Sequence, residues 1–310
     1  MTTLLDCRDA FSSTLVDIAA HDDRIVAVVN DSVGSSKLGD FARRFPERLI
    51  NVGIAEQAMV GVAAGLAAGG RIPFVSAASC FLTARAMEQI KIDVAYSDHH
   101  VVLCGQSPGV AYGELGPTHH SPEDLAWMRT IPGLTVVVPT DPAETAAAVR
   151  WAAAHDGPVF LRISRMGVPD IHPPGTAFVP GVATQLRAGD DVAIVAIGTA
   201  VAPSLEAART LADEGIAARV LSMASLSPID RGAIVRAARE TGGIVTVEEA
   251  YASGLGGSVA EIVSEECPAR VRRIGLDGFA PTGSTPWLLE RSGIEPAAIA
   301  VAARQLVGGR

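Results

Sequence analysis

The stretch Ile72-Pro-Phe-Val-Ser76, followed by residues 81–96 and then Val101-Val-Leu-Cys104, decides the fold. Two short, β-branched apolar runs flank a longer amphipathic run, which reads as strand, helix, strand. The rhythm continues in both directions. Residues 25–29, 135–138 and 159–163 read as strands, and 56–68, 123–129 and 143–155 as helices. Further on, 192–197, 218–222, 244–247 and 271–274 read as strands, and 203–214, 231–240 and 258–265 as helices. Several strands are apolar at nearly every position, as strands covered on both faces of a parallel sheet are. The expected class is α/β, with two consecutive three-layer domains and mostly parallel sheets. Residues 168–176 carry three prolines and a glycine and read as the start of a linker or as an ordered surface loop. That puts the domains at 1–180 and 185–310.

Composition narrows the function. The 310 residues hold 34 Asp plus Glu against 25 Lys plus Arg, a net charge of −9, and 48% are hydrophobic. The apolar share excludes a disordered chain, and the acidic balance disfavours a nucleic-acid binder. No apolar run approaches the ~18 residues of a membrane span. The richest, 59–70, is mostly Ala and Gly, and no basic leader precedes an apolar segment at the N-terminus. A cytoplasmic protein without membrane contact is expected. Cys7, Cys80, Cys104 and Cys267 lie far apart, which fits neither a disulfide framework nor a zinc site. His99-His100 and His119-His120 are adjacent pairs, and sequence neighbours rarely point at one ligand, so no protein-only metal site is expected.

Three stretches could carry chemistry. In Arg48-Leu-Ile-Asn-Val-Gly-Ile-Ala-Glu-Gln-Ala-Met59, a strand-like run reaches Gly53 and Glu56 opens a helix of small residues. Glu56 is either a helix-start carboxylate favoured by the macrodipole or a buried acid at a subunit contact. In Gly113-Glu-Leu-Gly-Pro-Thr-His-His-Ser-Pro-Glu-Asp124, Ser121 and Pro122 resemble a helix start, making Glu123 and Asp124 surface acids. Capping leaves the histidines unexplained; they are solvated loop residues or binding groups after a parallel strand. Asn30-Asp-Ser-Val-Gly-Ser-Ser-Lys37 is an anion cradle or an ordinary turn. Gly254-Leu-Gly-Gly-Ser258 lacks the third glycine of a dinucleotide fingerprint and reads as close packing.

Residues 51–165 resemble the pyrimidine-binding domain of transketolases. The likeness is carried by Gly-Ile-Ala-Glu-Gln-Ala-Met (53–59), Phe-Leu-Thr-Ala-Arg-Ala-Met-Glu-Gln-Ile (81–90), Gly-Pro-Thr-His-His-Ser-Pro-Glu-Asp-Leu-Ala (116–126), Thr-Val-Val-Val-Pro-Thr-Asp-Pro-Ala-Glu-Thr (135–145) and Leu-Arg-Ile-Ser-Arg (161–165). Thr246-Val-Glu-Glu249 and the glycines from 254 resemble the family's C-terminal domain. The family's Gly-Asp-Gly motif, which holds Mg²⁺ and diphosphate, is absent; Gly189-Asp-Asp191 has no suitable Asn downstream. The chain also starts where the family's second domain starts. It therefore resembles the C-terminal subunit of a split transketolase.

The resemblance implies a two-carbon ketol transfer from a ketose (phosphate) donor to an aldose acceptor. It implies thiamine diphosphate shared with an N-terminal diphosphate-binding subunit that holds the Mg²⁺, in a heterotetramer with two copies of each chain. Glu56 would be the acid beside the far pyrimidine nitrogen, desolvated enough to share a proton. Phe81 would pack on the ring, Arg85 would contact the coenzyme, and His119 would face substrate hydroxyls. Arg8, Ser35 and Arg165 match positions holding the substrate's terminal phosphate. Leu115 stands where the family reads a hydroxyl with Asp, and Ser107 where it has a second histidine; Ala78 and Ala84 replace aromatic positions. The helix after Glu56 and the 81–96 helix would meet the partner, with self-pairing through the same faces as the alternative. Two other readings stand beside this one: a 2-oxo acid dehydrogenase beta subunit, and a non-catalytic binding or regulatory subunit. The Gly-Pro-Thr-His run and Arg165 weigh against the former, and Glu56 and His119 against the latter.

Overall fold

The computed structural model describes residues 3–308; the outermost residues of both expected domains, 1–2 and 309–310, lie outside it. In the first half the strands are β1 (Leu5–Asp6), β2 (Ile25–Val29), β3 (Leu49–Asn51), β4 (Ile72–Ala78), β5 (Val102–Gln106), β6 (Thr135–Val137), β7 (Val159–Ile163) and β8 (Gly167–Val168). The second half adds β9 (Thr184–Arg187), β10 (Val192–Ala196), β11 (Ala218–Ser222), β12 (Ser225–Ser227), β13 (Ile244–Tyr251) and β14 (Val271–Leu276). One sheet runs β12-β6-β7-β5-β4-β2-β3 and the other β14-β13-β10-β11-β9. Both are parallel except for one antiparallel edge strand each, β12 on β6 and β9 on β11. The central strands β2, β5, β7 and β10 are buried at every residue, which accounts for the unbroken apolar sequences of β2 and β10; β5 and β7 each bury one polar side chain, Gln106 and Arg162.

The halves are not independent. β12 belongs by sequence to the second half but completes the first sheet. One apolar cluster joins Leu125, Met128 and Leu134 to Leu226, Leu255, Val259 and Ile262. The 168–176 stretch is anchored, as its loop reading allowed: Val168 pairs with Leu5 in β8, and the Asp141 carboxylate accepts the backbone N–H groups of Ile171 and His172. No described helix is long and apolar enough to cross a membrane.

The helix expected over 81–96 is broken. An α-helix spans Ser79–Arg85, a short turn covers Met87–Gln89, and a π-helical segment covers Ile90–Tyr96. The Thr83 hydroxyl donates to the Ser79 carbonyl at 2.7 Å, a local back-bond that bends helices. Arg85, at the break, reaches the first residue of the helix that follows β3.

Candidate active site

Glu56 is the centre of the site. The chain leaves β3 through Asn51, whose side-chain oxygen accepts the Gly53 N–H at 2.9 Å. Gly53 sits at φ +73°, where a side chain would be strained, and the helix Glu56–Ala68 follows. Its first residue is buried, with 3% of its surface exposed. Glu56 is thus both a helix-start carboxylate and a buried one. Asn30, at the carboxyl end of β2, donates to Glu56 Oε1 at 2.7 Å, and Arg85 donates to the same oxygen at 2.9 Å. Neither reaches Oε2. Burial pushes this carboxyl up, but its own backbone amide, Arg85 and Asn30 outweigh that and hold it below the ordinary value. Without a coenzyme beside it, the acid is therefore ionised at neutral pH.

A row of flat groups leads away from this acid. The Arg85 guanidinium lies 4.0 Å over the Phe81 ring. Phe81 meets His119 edge-on at 5.1 Å, His119 meets Tyr112 edge-on at 6.0 Å, and Arg165 covers Tyr112 at 4.7 Å. His119 Nδ1 also lies 3.0 Å from the Thr118 hydroxyl. A cavity of about 440 Å³ opens beside Arg165, lined by Tyr112, Leu115 and Thr285 among others. Leu115 is 54% exposed on this rim.

Several buried polar atoms here have no protein partner: Asn30 Oδ1, Gln106 Oε1, the Ser107 hydroxyl and both ring nitrogens of His120. Asn30, Gln106 and Ser107 lie at the carboxyl ends of β2 and β5, where α/β sheets bind ligands. Buried polar groups ordinarily find partners, so these fit a site that receives a polar ligand. An aminopyrimidine fits the donor set: Phe81 offers a ring face, Glu56 Oε2 an open acceptor, and Asn30 Oδ1 a buried acceptor for an N–H.

Other expected residues stand elsewhere. Arg8 donates to both Asp6 oxygens and, at 3.0 Å, to the Ser35 carbonyl, and its side chain is 10% exposed. Arg8 and Ser35 are thus brought together, but Arg8 is held in protein contacts and Arg165 lies with Tyr112 instead. The Ser35 hydroxyl donates to Ser32 O, the Ser32 hydroxyl to Ser76 O, and Lys37 pairs with Asp9. The 30–37 segment is therefore an inward-bonded turn rather than an anion cradle. Asp124 is not a surface acid. It is fully buried and accepts from Arg162 Nε at 3.0 Å and from the Ser79 hydroxyl at 2.8 Å. Glu123 is half-buried, and burial pushes it up. Ser121 does not cap the helix, which begins at Asp124; it exchanges backbone hydrogen bonds with Gly109. Sequence reading missed Asn30 as the partner of Glu56 and missed Tyr112. The available signal was an amide immediately past β2 and an aromatic in the loop that follows β5.

A buried acid, an aromatic face and a histidine loop at the carboxyl ends of a parallel sheet define a coenzyme-site α/β protein. The transketolase pyrimidine-binding domain description matches residues 4–170, and the transketolase C-terminal domain description matches residues 181–299. The chain belongs to the transketolase family. It is 45% identical to an apulose-4-phosphate transketolase subunit of Phocaeicola vulgatus, over 88% of each chain. It is 42% identical to the 6-deoxy-6-sulfo-D-fructose transketolase subunit SqwH of a Clostridium species, over 96% of this chain and 94% of that one. A solved split gene transketolase, an inactive beta4 tetramer, superposes with TM-score 0.89 at 42% identity, over 98% of each. These likenesses make the chain a transketolase subunit of the C-terminal type. They do not favour a 2-oxo acid dehydrogenase beta subunit.

Proposed function

We propose that this chain supplies the pyrimidine side of a thiamine diphosphate site whose diphosphate and Mg²⁺ are held by an N-terminal partner subunit. The carrying observation is Glu56: it is buried, linked to the Phe81 ring through Arg85, with Oε1 held by Asn30 and Arg85 and Oε2 reached by neither. Domains 1–180 and 185–310, two copies of each chain and a cytoplasmic setting belong to the same reading. Exposed Ile54 just before the Glu56–Ala68 helix, Val62 on it, and Ile92 and Tyr96 on the Ile90–Tyr96 segment suit a partner surface.

When bound, the coenzyme supplies a carbanion equivalent that carries a two-carbon ketol unit. Glu56 Oε2 would accept the hydrogen bond of the protonated far pyrimidine nitrogen. Phe81 orients the ring, while Arg85 and Asn30 fix the acid. His119 hydrogen-bonds or transfers protons to substrate hydroxyls, with Ser107 standing at the family's second histidine position. Arg165, on Tyr112 rather than on a carboxylate, takes the anionic end of the sugar. The names of two relatives carry a phosphate and a sulfo group, which supports an anion-ended sugar. Arg8 and Ser35 would join that anion site only with Arg8 released from its pair with Asp6. Leu115 replaces a hydroxyl-reading acid, so the acceptor is read differently there.

The test is co-expression with a diphosphate-binding subunit, then ketol-transfer assays with thiamine diphosphate and Mg²⁺. Activity is expected from the pair and from neither chain alone. Tight coenzyme binding and turnover by this chain unaided would overturn the reading.

A further inference from the structure

Residues 107–121 form a loop carrying Tyr112, Leu115 and His119; tight turns of its own shape it, and contacts from outside anchor it. Its neck is closed by Gly109 and Ser121, which exchange backbone hydrogen bonds of 3.1 and 2.8 Å. Beyond the neck, Phe81 and Arg165 of the first half touch His119 and Tyr112 through their side chains, while hydrogen bonds to the loop's backbone come from the second half of the chain. Glu249, in β13, accepts the Val110 N–H on Oε1 at 2.9 Å. The Thr285 hydroxyl donates to the Val110 carbonyl at 3.1 Å. Gly283 N–H donates to the Gly113 carbonyl at 3.0 Å, and Tyr251 N–H to the Pro122 carbonyl, just past the loop, at 2.8 Å.

The glycines of the loop record how closely this surface presses. A Cβ on Gly109, which has φ +59°, would lie 2.3 Å from a Glu249 carboxylate oxygen. One on Gly113 would lie 2.5 Å from the Gly283 carbonyl, and one on Gly116 2.4 Å from the Thr282 hydroxyl. Glu249 is itself fixed on every side. The Thr199 hydroxyl donates to its Oε2 at 2.7 Å, and Arg162, which is paired with Asp124, donates to its carbonyl at 2.8 Å. A buried carboxylate is a costly way to join two layers that apolar residues could join. Its two oxygens do something apolar groups cannot: one takes a loop amide and the other a second-domain hydroxyl, which sets the distance between them.

We infer that Glu249 is a positioning residue: from the second domain, through Val110 and Thr199, it sets the loop that holds Tyr112, Leu115 and His119 over the site. The clamp is independent of the proposed reaction; its catalytic consequence rests on that reading. Misplacing reacting groups by about 1 Å costs up to about 10²-fold in rate.

Two variants test it. Glu249→Gln keeps the shape and one acceptor, and Thr199→Val removes the donor to Oε2 at a half-buried turn. Both would be made in the full chain, with histidine rings labelled with ¹⁵N and His119 assigned by its loss in His119→Asn. Without partner or substrate, the His119 ring signals are expected to shift and broaden in both variants while those of exposed His21 stay in place. In the reconstituted enzyme, kcat is expected to fall about 10–100-fold with coenzyme affinity unchanged. Unmoved His119 signals in folded Glu249→Gln and Thr199→Val protein would overturn the inference, whatever kcat does. Moved His119 signals in a chain whose wild-type pair transfers no ketol unit would uphold the clamp and refute only the proposed reaction.

Discussion

Replacing Glu56 by Gln separates a catalytic acid from a structural one, because the structure predicts very different sizes for the two effects. The Arg85 partner is 47% exposed, so the ion pair contributes about 1 kcal/mol or less. The Asn30 hydrogen bond survives, since the amide oxygen of Gln can accept it. Stability at pH 7 should therefore fall by no more than about 1–2 kcal/mol. Loss of a proton-transfer group costs about 10²–10⁴-fold in rate, which at 1.36 kcal/mol per decade is about 3–5 kcal/mol of barrier. The assay is single-turnover ketol transfer by the reconstituted pair, alongside urea unfolding of the variant chain. The pH dependence of unfolding gives an internal check. The folded carboxyl sits below its ordinary value, so its stabilisation is present above the unfolded value near 4.3 and is lost as pH falls through the folded one. The stability difference between wild type and Glu56→Gln should shrink accordingly below about pH 4. Wild-type turnover by the reconstituted Glu56→Gln enzyme would refute the assignment and leave a non-catalytic role for the subunit.

Leu115→Asp places a carboxylate on the exposed rim beside Tyr112 and Arg165; competition between acceptors should show about a tenfold gain for aldoses bearing a 2-hydroxyl, and an unchanged preference would exclude this position from acceptor reading. Arg162→Met leaves Asp124 buried without its cation and removes a donor from the Glu249 carbonyl; urea unfolding should show a loss of about 3–5 kcal/mol, and a loss below about 1 kcal/mol would mean that the buried pair is replaceable. Glu248 is pushed up to about 7 by burial, against the Gly256 and Leu255 amides that lower it. A raised carboxyl stabilises the fold at low pH and loses that contribution as pH rises through 7, so the deficit of Glu248→Gln relative to wild type should narrow by up to about 3 kcal/mol between pH 5 and 8. A deficit that stays constant across that range would show that Glu248 does not titrate there.

Much of the fold was legible because parallel strands covered on both faces leave unbroken apolar runs such as Ile25–Val29 and Val192–Ala196. What escaped were the short edge pairings. β1 and β8 have two residues each, and β12 three, too few for a hydrophobic period. Their positions are set by neighbours: Leu5 finds Val168, and Ser225 finds Val137. The broken helix after Phe81 escaped for a local reason, since Thr83 reads as an ordinary helical residue until its hydroxyl is seen on the Ser79 carbonyl.

The polar groups divide along the same line. Glu56 could be singled out because its neighbours in sequence, Gly53 and the run of small residues, already mark an unusual helix start. Asp124 was misread because helix-start logic weighs only adjacent residues, whereas its burial is explained by Arg162, 38 positions away. Glu249 is farther still from the amide it holds, at a separation of 139 residues. A sequence read by local rules identifies the side chains that can face a ligand, because strand ends and helix starts are local events. It does not identify the side chains that hold them, because a buried carboxylate can be kept only where the folded chain brings donors to it. In this chain those donors come from elements far apart in sequence, and the carboxylate of Glu249 takes one from each domain, so the geometry of the His119 loop is a property of both domains together.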